Sequence, residues 1–99
     1  MTDRELLELA AKAAGIDIVG WVDDGPLDIE CLLWNPLTDD GDALRLAVKL
    51  GLALNIRRND VFAGNGMYGV KETMDSFDPY AATRRAIVRA TAEIGKEMK

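Results

Sequence analysis

The chain is predicted to fold as one α+β domain, with three helices layered on a small, mainly antiparallel sheet of about four or five strands. Three observations lead there. Helical apolar spacing with capping residues appears near each end and again between Trp34 and Leu52. Between these lie short β-branched or alternating segments, punctuated by Gly, Asn, Asp and Pro. The 99 residues, 48% apolar and 29% charged, suffice for one core spanning 1–99 without disulfide or metal staples.

Residues 2 to 14 read as the first helix. Thr2 and Glu5 form a T-x-x-E capping box, with Met1 and Leu6 at the staple positions. Leu6, Leu9, Ala10 and Ala13 share a face, Glu8 and Lys12 pair one turn apart, and Gly15 is the natural stop. Ile16 to Val22 is β-branched and almost continuously apolar, which predicts a strand buried on both faces or placed centrally. Asp23-Asp24-Gly25-Pro26 is a turn cluster. Leu27 to Trp34 alternates Ile29, Cys31 and Leu33 against Asp28, Glu30 and Leu32. It is expected to form a second strand, with Cys31 a small buried hydrophobe.

The stretch from Trp34 to Leu52, WNPLTDDGDALRLAVKLGL, carries the second helix. Pro36 holds Asn35 extended, and Thr38 or Asp39 is the N-cap. Asp39, Asp40 and Asp42 suit the positive end of the helix dipole. Ala43, Leu44, Leu46, Ala47, Val48 and Leu50 cover about half the circumference. So wide an arc predicts the most buried helix, covering one sheet face, with the first and last helices on the remainder. Gly51 ends it.

Leu52, Leu54 and Ile56 then alternate with Ala53, Asn55 and Arg57, a half-buried strand over Leu52 to Arg58. Asn59-Asp60 turns the chain. Val61 to Ala63 and Met67 to Thr73 are short strands around Gly64-Asn65-Gly66, and Asp75 to Phe77 is a connection. Asp78 caps the last helix, with Pro79 in its first turn. Tyr80, Thr83, Ile87, Ala90, Ile94 and Met98 line one face. Arg85, Arg89 and Lys96 lie opposite, with Arg84 at the margin.

Composition narrows the function classes. There is one cysteine and no histidine. An internal disulfide, a Cys-rich zinc site, a His triad and a His proton shuttle are therefore excluded. The charged, helical N-terminus does not read as a signal peptide, and no apolar run reaches the ~20 residues of a membrane span. A reducing, cytoplasmic setting fits the single cysteine. The net charge of −5 argues against nucleic acid as a default partner. The charge is uneven: residues 78 to 99 carry five basic and three acidic side chains, whereas the preceding 77 carry seven and fourteen.

Three places invite a chemical reading. Gly64-Asn65-Gly66-Met67-Tyr68-Gly69 matches G-x-G-x-x-G, but a strand rather than a helix is expected to follow, so a hairpin is the better reading. Asp23, Asp24, Asp39, Asp40 and Asp42 lack the spacing of a calcium loop and are explained by turns and helix caps. Arg84, Arg85 and Arg89 are the candidate ligand-binding residues, for phosphate or an acidic surface. The simpler reading makes them a solvated helix face. Trp21, Trp34 and Tyr68 read as core or rim. No catalytic constellation, metal site or cofactor motif emerges.

Two segments, WNPLTDDGDALRLAVKLGL at 34 to 52 and DPYAATRRAIVRATAEIGKEM at 78 to 98, together resemble a family of small bacteriophage and prophage proteins described as a phage αβα-sandwich domain. That family is related more distantly to NinX-like phage proteins. The resemblance implies a phage-encoded αβα sandwich in the cytoplasm of a bacterial host. It transfers no catalytic or ligand residue. The expectation is a non-enzymatic accessory protein that binds a host or phage protein, with self-association open. The alternative is a small phosphate-ligand or nucleotide binder using the final-helix arginines or the Gly64 to Gly69 loop.

Overall fold

The first helix, α1 (Asp3–Ala14), begins with the capping box its sequence encodes. Thr2 Oγ1 accepts from the Glu5 N–H at 3.1 Å, and Glu5 Oε1 accepts from the Thr2 N–H at 3.2 Å and its hydroxyl at 3.0 Å. At the other end, the Gly15 N–H donates to Lys12 O and the Ile16 N–H to Ala11 O, with Gly15 at φ 72°. The same closure ends α2 (Asp40–Lys49), where Gly51 at φ 65° and Leu52 donate to Val48 O and Ala47 O. Both are Schellman closures, which need a left-handed residue and so favour glycine. The computed structural model describes residues 1–66, 69–73 and 78–98.

Between these helices the chain makes a small hairpin. β1 (Gly20–Val22) and β2 (Gly25–Leu27) pair antiparallel across Asp23-Asp24, with Trp21 opposite Pro26. The expected strand over Ile16 to Val22 is therefore shorter, and it is not central. Among the described residues its sheet has two strands, and Val19 and Val22 are exposed. The expected second strand over Leu27 to Trp34 is replaced by a tight loop. Asp28 Oδ1 accepts from the N–H groups of Glu30 and Leu32, while Asp28 N–H donates to Leu32 O and Cys31 N–H to Asp28 O. This local hydrogen bonding outcompetes a ladder. Leu33 folds back onto Leu27 as an isolated bridge. Cys31 sits exposed at φ 62°, not buried as its alternating pattern implied.

Asn35 organises the lead-in to α2. It is buried, and its Nδ2 donates to Asp24 O at 2.8 Å while its Oδ1 accepts from Leu37 N–H at 3.0 Å. Its own N–H donates to Asp42 Oδ2 at 2.9 Å. Of the two candidate caps, Asp39 is the one used, accepting from Asp42 N–H at 2.8 Å. Only Ala43, Leu46 and Ala47 of α2 are buried.

The second sheet has the order β3 (Ala53–Ile56), β4 (Asp60–Gly64), β5 (Gly69–Thr73), antiparallel throughout. Leu54, Val61, Ala63 and Val70 point to its inner face; Asn55, Phe62 and Lys71 point outward. α3 (Pro79–Glu97), capped by Asp78, lies against β4 and β5. α1 and α2 both pack on α3. The α+β class with three helices and small antiparallel sheets thus holds, but the strands fall into two sheets rather than one, and the helix on the three-stranded sheet is α3, not α2 as its wide arc implied. The most buried helix, however, is α3 rather than α2. It touches the sheet and both other helices, and Ala86, Ile87, Val88, Ala90, Thr91, Ala92 and Gly95 are buried around it. The connection at Asp75 to Phe77 lies outside the described residues, as do Met67 and Tyr68.

Candidate functional site

An apolar groove of about 520 Å³ opens between the N-terminal half of α2, the edge strand β3 and the first two turns of α3. Its size falls within the usual range for binding clefts. Ala43 and Leu44 line it from α2, Leu54 and Ile56 from β3, and Pro79, Tyr80, Thr83 and Ile87 from α3. Three of these are large apolar side chains left open to water: Leu44 is 58% exposed, Ile56 60% and Tyr80 68%. Val48, one turn beyond Leu44 on α2, is 72% exposed and extends the same stripe.

The local sequence explains how these side chains come together. Asp39 starts α2 so that Ala43, Leu46 and Ala47 face α3, and the surplus of apolar residues puts Leu44 and Val48 outside that contact. Asp78 and Pro79 fix the start of α3, which presents Tyr80 at the mouth. The hairpin between β3 and β4 places Leu54 opposite Ala63 and Ile56 opposite Val61, so both β3 side chains face the groove side of the sheet.

Three of its polar side chains, Asp40, Thr83 and Arg84, are already engaged. Thr83 Oγ1 donates back to Pro79 O at 2.8 Å. Arg84 and Asp40 form an ion pair at 2.6 Å along the rim, and Arg84 Nε donates to Leu37 O at 2.8 Å. The Arg84 side chain is only 16% exposed.

The three candidate arginines do not converge. Arg84 is held by Asp40 of α2 and by Leu37 O just before it, Arg85 Nη2 meets Asp3 of α1 at 3.0 Å, and Arg89 Nη1 bonds Glu72 of β5. Each spans from α3 to a different element. The acidic candidates are likewise dispersed: Asp39 and Asp42 serve the cap and Arg45, Asp40 serves Arg84, and Asp23-Asp24 form the first hairpin's turn. Among the described residues no group of three or more Cys, Asp or Glu is placed to hold a metal ion. Gly64 and Gly69 close the β4–β5 hairpin as facing partners, so the G-x-G-x-x-G run joins two strands. Trp34 is buried, and Trp21 carries the Arg4 guanidinium 4.4 Å above its ring.

By their spacing Leu44, Ile56 and Tyr80 each fall on the apolar face of their element. The signal that could have separated them is the surplus itself: α2 has more apolar positions than one helix contact can bury. Among the described residues no helix is long and apolar enough to cross a membrane. Comparison with known proteins finds no matching family model, curated protein or solved structure.

Proposed function

We propose that this chain is a non-enzymatic accessory protein of phage or prophage origin, which acts in the host cytoplasm by binding another protein through the groove. The observation that carries this reading is the convergence of Leu44, Ile56 and Tyr80, all largely exposed, on one cleft. Single exposed apolar residues are ordinary on a protein surface; a contiguous set around a concavity is the mark of an interaction site. The polar groups of the lining support binding over chemistry, because Thr83, Asp40 and Arg84 are occupied by structural partners. The phage origin rests on the resemblance of residues 34 to 52 and 78 to 98.

Affinity capture from infected or lysogenic cells tests it. Wild-type protein is expected to retain a stoichiometric partner that Leu44→Lys does not. Leu44 is exposed, so lysine is tolerated there without loss of core packing. A partner retained equally by both proteins moves the interface elsewhere, and repeated recovery of the protein alone counts against the reading. The phosphate-binding alternative gains nothing from the arginines, since each is paired with a carboxylate of another element.

A further inference from the structure

We infer that the groove takes an extended peptide segment of its partner, which adds a strand to the three-stranded sheet along the open edge of β3. The inference rests on the groove being a protein-binding site and names what occupies it. It begins from hydrogen-bond register. Arg57 N–H donates to Asp60 O at 2.8 Å, which makes this pair a hydrogen-bonded one. Antiparallel pairs alternate, so Asn55·Phe62 and Ala53·Gly64 are also hydrogen-bonded, whereas Ile56·Val61 and Leu54·Ala63 are not. The backbone N–H and C=O groups of Leu54 and Ile56 therefore point away from β4, along an edge that no strand among the described residues pairs. The same two residues turn their side chains toward the groove. A strand laid on this edge would bond both of them and insert every second side chain between Leu44, Tyr80 and Ile87.

The two edges of the sheet differ in a way that fits. β5 carries Lys71 and Glu72, charges of the kind that discourage edge pairing. β3 reads Ala-Leu-Asn-Ile and carries none. The rim also selects. Asp40 and Arg84 line the groove as an ion pair, and Asp39, Asp42, Asp78 and Arg45 stand near them where α2 and α3 begin. The helix dipoles offset part of this acidity, and the remainder favours a Lys or Arg flanking the apolar residues of the strand. The occupant is thus an extended, alternately apolar segment with a basic flank.

The probe is a random linear peptide library, selected on wild-type protein and counter-selected on Leu44→Lys, with matched melting curves confirming that the variant is folded. A synthetic copy of the best peptide is then N-methylated one residue at a time. Strand addition predicts a period of two: methyl groups on alternate amides weaken binding about fivefold or more each, and those between them have little effect. On the protein, amide hydrogen exchange at Leu54 and Ile56 slows on binding, while Ala53 and Asn55 change little because the ladder already protects them. Peptides that need Leu44 but show no period of two, or that bind as helices, overturn strand addition and leave the groove reading intact. A library yielding no Leu44-dependent peptide overturns both. A dimer in light scattering that Leu44→Lys disperses replaces the peptide with a second copy of the chain.

Discussion

Asn35 is buried with both side-chain polar atoms occupied: Nδ2 donates to Asp24 O and Oδ1 accepts from Leu37 N–H. Its side chain thereby ties the turn of the first hairpin to the lead-in of α2. Asn35→Ala removes both bonds and leaves two backbone groups without partners, which costs about 1–3 kcal/mol of stability. Asn35→Asp keeps the acceptor for Leu37 but turns an oxygen toward Asp24 O, so it is expected to destabilise further; urea denaturation of the two variants gives the order. Glu5 behaves differently because it is open to water. Thr2 backbone N–H, then its hydroxyl, hold the Glu5 carboxyl below the ordinary glutamate value. A depressed folded-state pKa stabilises at pH above the unfolded value and is lost as pH falls through the folded one. The melting-temperature gap between wild type and Glu5→Gln should therefore narrow as the solution is acidified below the usual carboxylate range. Of these two residues only the Glu5 bond was legible in the sequence, because its partner lies three positions away. Asn35 could be read as extended before Pro36, but its bond to Asp24 depends on a hairpin folding back. Cys31 failed for a local reason: the side chain of Asp28 competes for the backbone, and apolar alternation does not register that.

Helices α1 and α3 meet through small residues. Ala10, Ala11 and Ala14 are buried on one, and Ala92, on the same side of α3 as Gly95, is buried on the other. They come close at Gly95, where an added Cβ would stand 2.1 Å from Leu9 O. Two effects of Gly95→Ala oppose each other. Alanine improves helix propensity by about 1 kcal/mol. The clash is with backbone, so no rotamer change relieves it, and the two helices must separate along their shared core. Overpacking of this kind costs about 1–3 kcal/mol, and here the obstructing atom cannot yield. A net loss of stability is expected, seen as a lower calorimetric melting temperature; a rise would mean the helices slide apart at little cost. The caps of all three helices and the stops of α1 and α2 were readable because they use bonds between near neighbours. The ranking of the helices was not. α2 has the wider apolar arc, yet α3 is the one surrounded, since the sheet packs on α3 together with both other helices. The excess on α2 became the wall of the groove.

At the scale of the whole molecule, the charge asymmetry between the last helix and the rest has a structural use. Arg84, Arg85 and Arg89 reach from α3 to Asp40 of α2, Asp3 of α1 and Glu72 of β5. The basic face that looked like a ligand site is laced to each packed element in turn. The three ties are not equal. Arg85 and Arg89 are each more than two-fifths exposed, and such pairs contribute about 0–1 kcal/mol. Arg84 is mostly buried and donates both to a carboxylate and to Leu37 O, a backbone group on the same lead-in that Asn35 holds. Arg84→Ala is therefore expected to lower stability by about 2 kcal/mol, well beyond either of the others, because it strands that carbonyl and loosens α2 against α3. Arg84→Lys should recover little of this, since a single ammonium cannot span the two acceptors as the guanidinium fork does. Chemical denaturation of the four variants tests the ranking. The same proteins decide whether the arginines also serve a ligand. If lacing is their whole role, inorganic phosphate and nucleotides leave the melting temperatures of wild type, Arg85→Ala and Arg89→Ala unshifted. A wild-type stabilisation by nucleotide that Arg85→Ala or Arg89→Ala abolishes would show that the face binds a phosphate as well.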